Sequence, residues 1–240
     1  MKRALAIIYL ALAASPAGAF ELLRVDGNPC GNAQNLFWRE HAVAVDVGAL
    51  DPPQFGSYAT EAINRWNAAI GNFHFEHGSG DFCDPTDGVT AMGFSQQTCG
   101  GAGYGDAVSI TMYRHNTAGE FIDADVTFRS SAADLAEPAL FRQIAMHELG
   151  HVLGLDHSDA CGDSGNGTLM RRVTLLEEPR LASPQADDVA GARAIYGSDG
   201  DGTVPAGSNS CALVPADSRA PAWLLLLPLA LLLACGRVWR

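Results

Sequence analysis

The chain has 240 residues, of which 48% are hydrophobic, and it carries 27 Asp and Glu residues against 15 Lys and Arg residues. Its formal net charge of -12 at pH 7 argues against a nucleic-acid partner, because binding to phosphates requires a basic face. The length suits one domain, once the two apolar ends of the chain are set aside.

The first 19 residues have the layout of a secretory signal peptide. Lys2 and Arg3 form a basic start, a short apolar run follows, and small residues precede a cleavage site before Phe20. The alternative is an N-terminal membrane anchor, for which the apolar run is short. Residues 1–19 therefore predict a signal peptide and an exported chain.

Residues 41–128 alternate between strand-like and helix-like patterns. Val43, Val45 and Val47 fall on one side of a predicted strand, and Ser57 to Ile70 has apolar residues at helical spacing. Further strands are predicted at 73–76, 89–94, 107–113 and 122–128, with a hairpin turn at 116–119. The residues before position 41 contain several turn signals and predict an irregular segment.

Four of the six cysteines lie in the body of the chain, at Cys30, Cys83, Cys99 and Cys161. Export permits disulfides, and four cysteines allow three pairings. We favour Cys83 with Cys99, because they bracket the short strand predicted at 89–94. Cys30 with Cys161 is then the remaining pair.

The stretch from His147 to His157 is the most informative part of the chain. Residues 139–153 predict a helix, on which His147 and His151 share a face and can bind one metal ion. Gly154 permits a sharp turn that brings His157 round as a third ligand. Three histidines leave one zinc position open for water, as in catalytic sites, and the adjacent Glu148 is a candidate general base.

The C-terminal part begins with a helix predicted at 184–196. Residues 198–219 are rich in Gly, Ser and Asp and predict a flexible linker. Residues 220–240 contain an uncharged Leu-rich run that ends at Arg237 and Arg240, which predicts a membrane-spanning segment with the body of the chain outside the cytoplasm. The layout also resembles the C-terminal sorting signals of some Gram-negative surface proteins, in which the tail is removed. A permanent anchor and a cleaved tail remain alternatives.

The eleven-residue pattern from His147 to His157 resembles the metzincin signature. Ser158 directly after the third histidine, and a closing helix with Asp187 and Asp188 that ends in Ile-Tyr-Gly197, are similar to the matrixin branch of that family. The resemblance covers about residues 36–197.

The matrixin resemblance implies an α+β catalytic domain over residues 20–197. It implies a mixed twisted sheet with an N-terminal helix, an active-site helix and a C-terminal helix. It also implies a methionine in a tight turn beneath the metal, for which Met170 is the candidate.

The same resemblance implies that one zinc ion and Glu148 hydrolyse peptide bonds in a protein or peptide substrate, without a covalent intermediate. The substrate is expected along an exposed strand edge, either 107–113 or 122–128, with a subsite pocket near 171–178. The chain is expected to be a monomer. The alternative is a surface interaction protein that holds zinc without catalysis, although such a protein has no need of Glu148.

The chain departs from the matrixin pattern in several places. No cysteine-switch motif is found, and Cys30 is expected in a disulfide. The family's second, structural zinc site is not found, and His115 is expected to be a surface histidine. Calcium is possible but not supported, because Asp123 and Asp125 are expected to be exposed turn or edge residues.

Overall fold

A computed structural model describes most of the region between the predicted signal peptide and the predicted linker. The described residues are 20–162, 164–165, 167–172 and 181–197. The predicted signal peptide (1–19), linker (198–219) and tail (220–240) lie outside them. No helix within the described ranges has the length and apolar character needed to cross a membrane.

Within these ranges the chain forms seven strands and three α-helices. The strands are β1 (Glu21–Leu22), β2 (Ala42–Asp46), β3 (His74–His77), β4 (Val89–Ser95), β5 (Ser109–His115), β6 (Phe121–Arg129) and β7 (Leu155–Asp156). The helices are α1 (Gln54–Ala69), α2 (Pro138–Val152) and α3 (Ala186–Tyr196). A short 3-10 helix, Ala133–Ala136, precedes α2.

The main sheet has five strands in the order β3-β2-β4-β6-β5. Neighbouring strands are parallel except β5, which runs antiparallel to β6 after the predicted turn at 116–119. The mixed sheet and its helices confirm the α+β fold class. Strand β6 is hydrogen-bonded to a neighbouring strand on both sides, so the expectation that a substrate could lie along the edge of 122–128 is wrong. Among the described residues, β5 is an edge strand.

Aromatic side chains join the sheet to the two longer helices. Phe141 of α2 lies with its ring centroid 4.9 Å from that of Phe55 in α1 and 4.8 Å from that of Phe128 in β6. The indole of Trp66 donates a hydrogen bond of 2.8 Å to the carbonyl oxygen of Met146. These contacts fix α2 between α1 and the sheet, in a core that excludes water.

The segment before β2 is more ordered than its turn signals predict. Strand β1 pairs antiparallel with β7, a contact that two-residue strands are too short to reveal through alternation. Two disulfides join Cys83 to Cys99 and Cys30 to Cys161, with sequence separations of 16 and 131 residues. These are the pairs favoured above.

The expectation that Asp123 and Asp125 are exposed is wrong, because each is only 2% exposed. Both lie on the interior strand β6, where burial and the nearby charges of Asp87 and Asp84 raise their pKa values to about 7 for Asp123 and about 6 for Asp125. Asp125 accepts a hydrogen bond of 2.8 Å from the N–H of Ala91. Exposure of these two carboxylates is therefore no ground for discounting calcium.

Candidate metal centre

Helix α2 presents the first two histidines from one buried face. Glu137 caps the helix by accepting hydrogen bonds from the N–H groups of Ala139 and Leu140, and Pro138 occupies the first turn. His147 and His151 are one helical turn apart, 4% and 9% exposed, and their ring centroids are 4.8 Å apart. The predicted helix thus places both imidazoles at one point.

A sharp turn after α2 brings the third histidine to the other two. Gly154 has φ of +101°, and a Cβ at this position would lie 2.7 Å from the carbonyl oxygen of Leu36, so glycine is required twice over. The His157 ring centroid lies 5.3 Å from that of His147 and 4.7 Å from that of His151. One nitrogen from each histidine lies within 4.8 Å of the others.

Backbone carbonyls orient the two helical histidines. The Nδ1 of His147 is 2.8 Å from the carbonyl oxygen of Leu169, and the Nδ1 of His151 is 2.8 Å from that of Leu155. A carbonyl can only accept, so each Nδ1 carries the proton and each Nε2 keeps a free lone pair. This arrangement is typical of metal-binding histidines.

His157 is held less tightly. Its Nδ1 lies 3.5 Å from Oδ1 of Asp156, and the same oxygen accepts a hydrogen bond of 2.6 Å from the backbone N–H of His157. Burial tends to raise the pKa of Asp156, but these contacts with His157 outweigh it and hold that pKa below its usual value. An ionised Asp156 is therefore the neighbour of the third imidazole.

The donor set fits zinc. Burial is the main cause that lowers the pKa values of His147 and His151, so both are neutral at pH 7, which is the form that binds a metal. Three neutral imidazoles around one point suit tetrahedral zinc with its fourth position open.

Met170 lies against α2 between its two histidines. Its side chain is 2% exposed, and a Cβ at Gly150 would overlap its sulfur. The N–H groups of Leu169 and Met170 donate hydrogen bonds of 3.0 and 3.1 Å to the buried carboxylate of Asp188 in α3. Because Leu169 is also the partner of His147, Asp188 supports the metal centre through this turn.

The Glu148 carboxylate is hydrogen-bonded to β5. Its two carboxylate oxygens accept hydrogen bonds of 2.6 Å from the hydroxyls of Ser109 and Thr111. Burial tends to raise the pKa of Glu148, but the nearby histidines and the two hydroxyls outweigh it and hold that pKa below its usual value. Glu148 is thus ionised at neutral pH.

Sequence reasoning missed Ser109 and Thr111. Residues two apart on a strand lie on one face, so the pair would have been found had β5 been placed beside α2. His115, expected at the surface, is half-buried, with its Nδ1 2.9 Å from the carbonyl oxygen of Asn116. Most of the predicted subsite pocket at 171–178 lies outside the described residues.

Comparison with known proteins adds independent findings. A plant protein, "Metalloendoproteinase 4-MMP" of Arabidopsis thaliana, is 30% identical over 130 residues, which cover 54% of this chain and 31% of that protein. A solved structure, "GM1 bound form of the ECX AB5 holotoxin", matches 68% of this chain and 84% of its own chain at 14% identity, but its TM-score of 0.41 is too low to support an argument.

The family comparison identifies the chain. The model of the Matrixin family matches residues 54–197. This match is more than half of the chain, and it includes all three histidines, Glu148 and Met170. The chain belongs to the matrixin family of zinc metalloendopeptidases.

Proposed function

We propose that this chain is a zinc-dependent endopeptidase in which His147, His151 and His157 hold the metal and Glu148 moves the proton. The observation that carries the proposal is the convergence of three histidine nitrogens within 4.8 Å of one another. An ionised carboxylate on the same helix lies next to them without occupying a ligand position. A structural zinc site has no use for that carboxylate.

The chain's residues divide the work of peptide hydrolysis. When bound, zinc lowers the pKa of a water at its open position and polarises the scissile carbonyl. Glu148 takes a proton from the attacking water and delivers it to the leaving amine, as general base and then general acid. Ser109 and Thr111 hold the carboxylate at the side of the site that faces β5.

The edge of β5 is the proposed place for the substrate. An extended peptide can add to an exposed strand edge through backbone hydrogen bonds. The first and third residues of β5 contact Glu148, so a peptide along this edge passes the general base.

The test is casein cleavage by the purified chain, with and without a zinc chelator, together with metal analysis. We expect one zinc per chain, cleavage that stops with the chelator, and recovery when zinc is restored. Zinc binding without cleavage of casein or of a mixed peptide library would instead support the non-catalytic interaction protein.

We also propose that the enzyme acts outside the cytoplasm and is tethered through residues 220–240. The two disulfides support an oxidising compartment.

The tether rests on the apolar run and its terminal arginines alone. Full-length protein is expected in the membrane fraction, and a chain ending at Gly197 in the soluble fraction. Wholly soluble full-length protein that retains its C-terminal peptide would contradict the tether.

A further inference from the structure

The N-terminal strap, defined as residues 20–38, lies against the turn that carries the third histidine. Leu22 of β1 pairs with Leu155 of β7, and the N–H of Leu23 donates a hydrogen bond of 2.8 Å to the carbonyl oxygen of Gly154. At the other end of the strap, the indole of Trp38 donates a hydrogen bond of 2.8 Å to the carbonyl oxygen of Val152, at the end of α2. The strap therefore contacts the turn from the end of the helix to β7.

The residues of β7 are also the partners of two histidines. Leu155 accepts the hydrogen bond of His151, and Asp156 contacts both the ring and the backbone of His157. Strand β7 has only two residues and pairs with β1, which belongs to the strap. The contacts that orient the His151 and His157 imidazoles therefore come from β7, and the strap holds β7 in place.

A covalent bond completes this arrangement. Cys30 of the strap is joined to Cys161, four positions after His157. The turn between His151 and Cys161 is therefore held at β7 by hydrogen bonds and at its far end by a disulfide. The other disulfide, Cys83–Cys99, closes a loop that contains none of the histidines or their hydrogen-bond partners.

We propose that the strap and its Cys30–Cys161 disulfide are positioning elements of the metal centre, which keep His157 within reach of the ion and slow its release. The inference rests on the proposed zinc site. The basis of the inference is that the His157 ring has the weakest contact of the three. Its Nδ1 lies 3.5 Å from Oδ1 of Asp156, whereas the Nδ1 atoms of His147 and His151 each lie 2.8 Å from a backbone carbonyl oxygen. The third ligand depends on its backbone for its place.

The two disulfides provide a matched experiment in the full chain. Zinc-loaded Cys30→Ser/Cys161→Ser and Cys83→Ser/Cys99→Ser variants are mixed with excess colorimetric chelator, and zinc release is followed. We expect release from the first variant to be about 10- to 100-fold faster than from wild type, as for the loss of outer partners of metal ligands. The second variant should release zinc at the wild-type rate, although it too loses stability.

The absorption spectrum of the cobalt-substituted proteins gives a second readout, because it reports ligand number and geometry. We expect the four-coordinate spectrum to change in the Cys30→Ser/Cys161→Ser variant and to persist in the other. Equal release rates and equal spectra in the two variants would overturn the inference. A wild-type chain that binds no zinc, or that keeps it after His147→Ala, would instead overturn the proposed function.

A folding defect in the first variant would not remove the test. Cys30 is exposed, so its bond can be reduced and alkylated in folded, zinc-loaded Cys83→Ser/Cys99→Ser protein. Among the described cysteines this protein retains only the Cys30–Cys161 pair. Faster zinc release after reduction, with unchanged far-ultraviolet circular dichroism, supports the strap as a positioning element, and unchanged release contradicts it.

Discussion

Glu148 differs from the two histidines of its helix in what holds its side chain. Backbone carbonyls orient the imidazoles, whereas two hydroxyl groups of β5 hold the carboxylate. Ser109 and Thr111 each donate to one carboxylate oxygen, which fixes the group while leaving it ionised. A general base must be both placed and deprotonated. The two hydroxyls serve both needs.

Replacing Glu148 by Gln should leave zinc bound and reduce casein cleavage by about 10²- to 10⁴-fold, the usual contribution of a general acid-base group. The amide keeps the size of the side chain but cannot take a proton. Metal analysis and cleavage rates measure the two effects separately. Glu76→Gln, at an exposed position of β3, is the matched control and should change neither. Loss of zinc from Glu148→Gln would mean that Glu148 has a ligand or structural role.

Zinc binding should weaken in acid because protons compete with the metal for the imidazoles, although burial holds the pKa values of His147 and His151 below the ordinary value of 6.5. The folded site keeps its histidines neutral, whereas an unfolded chain protonates them near pH 6.5, so protons favour the state that cannot bind zinc. The stabilisation that the neutral histidines give to the folded chain is present above about pH 6.5 and is lost as the pH falls, for His147 toward its folded pKa of about 4. Zinc content after dialysis across this range tests it. Full retention at the acid end would show that the histidines are not the ligands.

At the scale of elements, α3 supports the site through one carboxylate. Asp188 accepts hydrogen bonds from the N–H groups of Leu169, Met170 and Gln185 and is 1% exposed. It thereby joins the start of α3 to the turn that holds both Met170 and the partner of His147.

Asp188→Ala should lower the free energy of unfolding by at least about 2 kcal/mol, since it leaves buried N–H groups without an acceptor. We also expect zinc affinity to fall about tenfold as the Leu169 carbonyl moves. Chelator competition and urea unfolding measure the two changes. Asp188→Asn, which keeps one acceptor oxygen, should have a smaller effect on both. Unchanged zinc affinity in the alanine variant would show that the turn holds its place without α3.

The elements that the sequence predicts well are those with long patterns or strong end signals. Helix α2 has Pro138 at its start and Gly154 after its end, and its predicted and observed bounds agree within one residue. Helix α1 begins three residues earlier than predicted, after Pro53, whose fixed φ suits a helix start. Strands β1 and β7 could not be predicted, because two residues contain no period.

The parts of the site that the sequence could not predict come from neighbours distant along the chain. Asp123 and Asp125 look like exposed turn or edge residues until β6 is known to be an interior strand. Ser109 and Thr111 become partners of Glu148 only once β5 is placed beside α2. The three histidines, by contrast, lie within eleven residues, and their spacing along a helix and a turn is enough to predict that they converge.

At the scale of the whole molecule, some of the acidic residues that contribute to the formal net charge of -12 are buried. Asp123 and Asp125 are buried close to Asp84 and Asp87, and their pKa values are raised from 3.8 to about 7 and about 6. Between these values and 3.8 the folded chain binds more protons than the unfolded chain, so this pair lowers stability as the pH rises. The slope is opposite in sign to that of the histidines.

Asp123→Asn should raise the free energy of unfolding at pH 7.5 by at least about 1 kcal/mol, because the neutral amide removes a buried charge. The gain should shrink toward pH 4, where the wild-type carboxyl is itself protonated. Thermal unfolding at both pH values, with a calcium chelator present so that no cation neutralises the cluster, measures the difference from wild type. Asp106→Asn, at an exposed position, is the control. A destabilised Asp123→Asn variant at pH 7.5 would contradict the expected sign.

The nested order of the disulfides has a consequence for biosynthesis. Cys83–Cys99 lies inside the interval spanned by Cys30–Cys161, so a chain entering an oxidising compartment from its N-terminus offers Cys83 to Cys30 long before Cys161 arrives. A non-native Cys30–Cys83 bond can form in that order, and it must be exchanged before both native disulfides can form. Production of active enzyme should therefore depend on a disulfide isomerase, or on slow exchange in a thiol buffer, more than on the supply of oxidant.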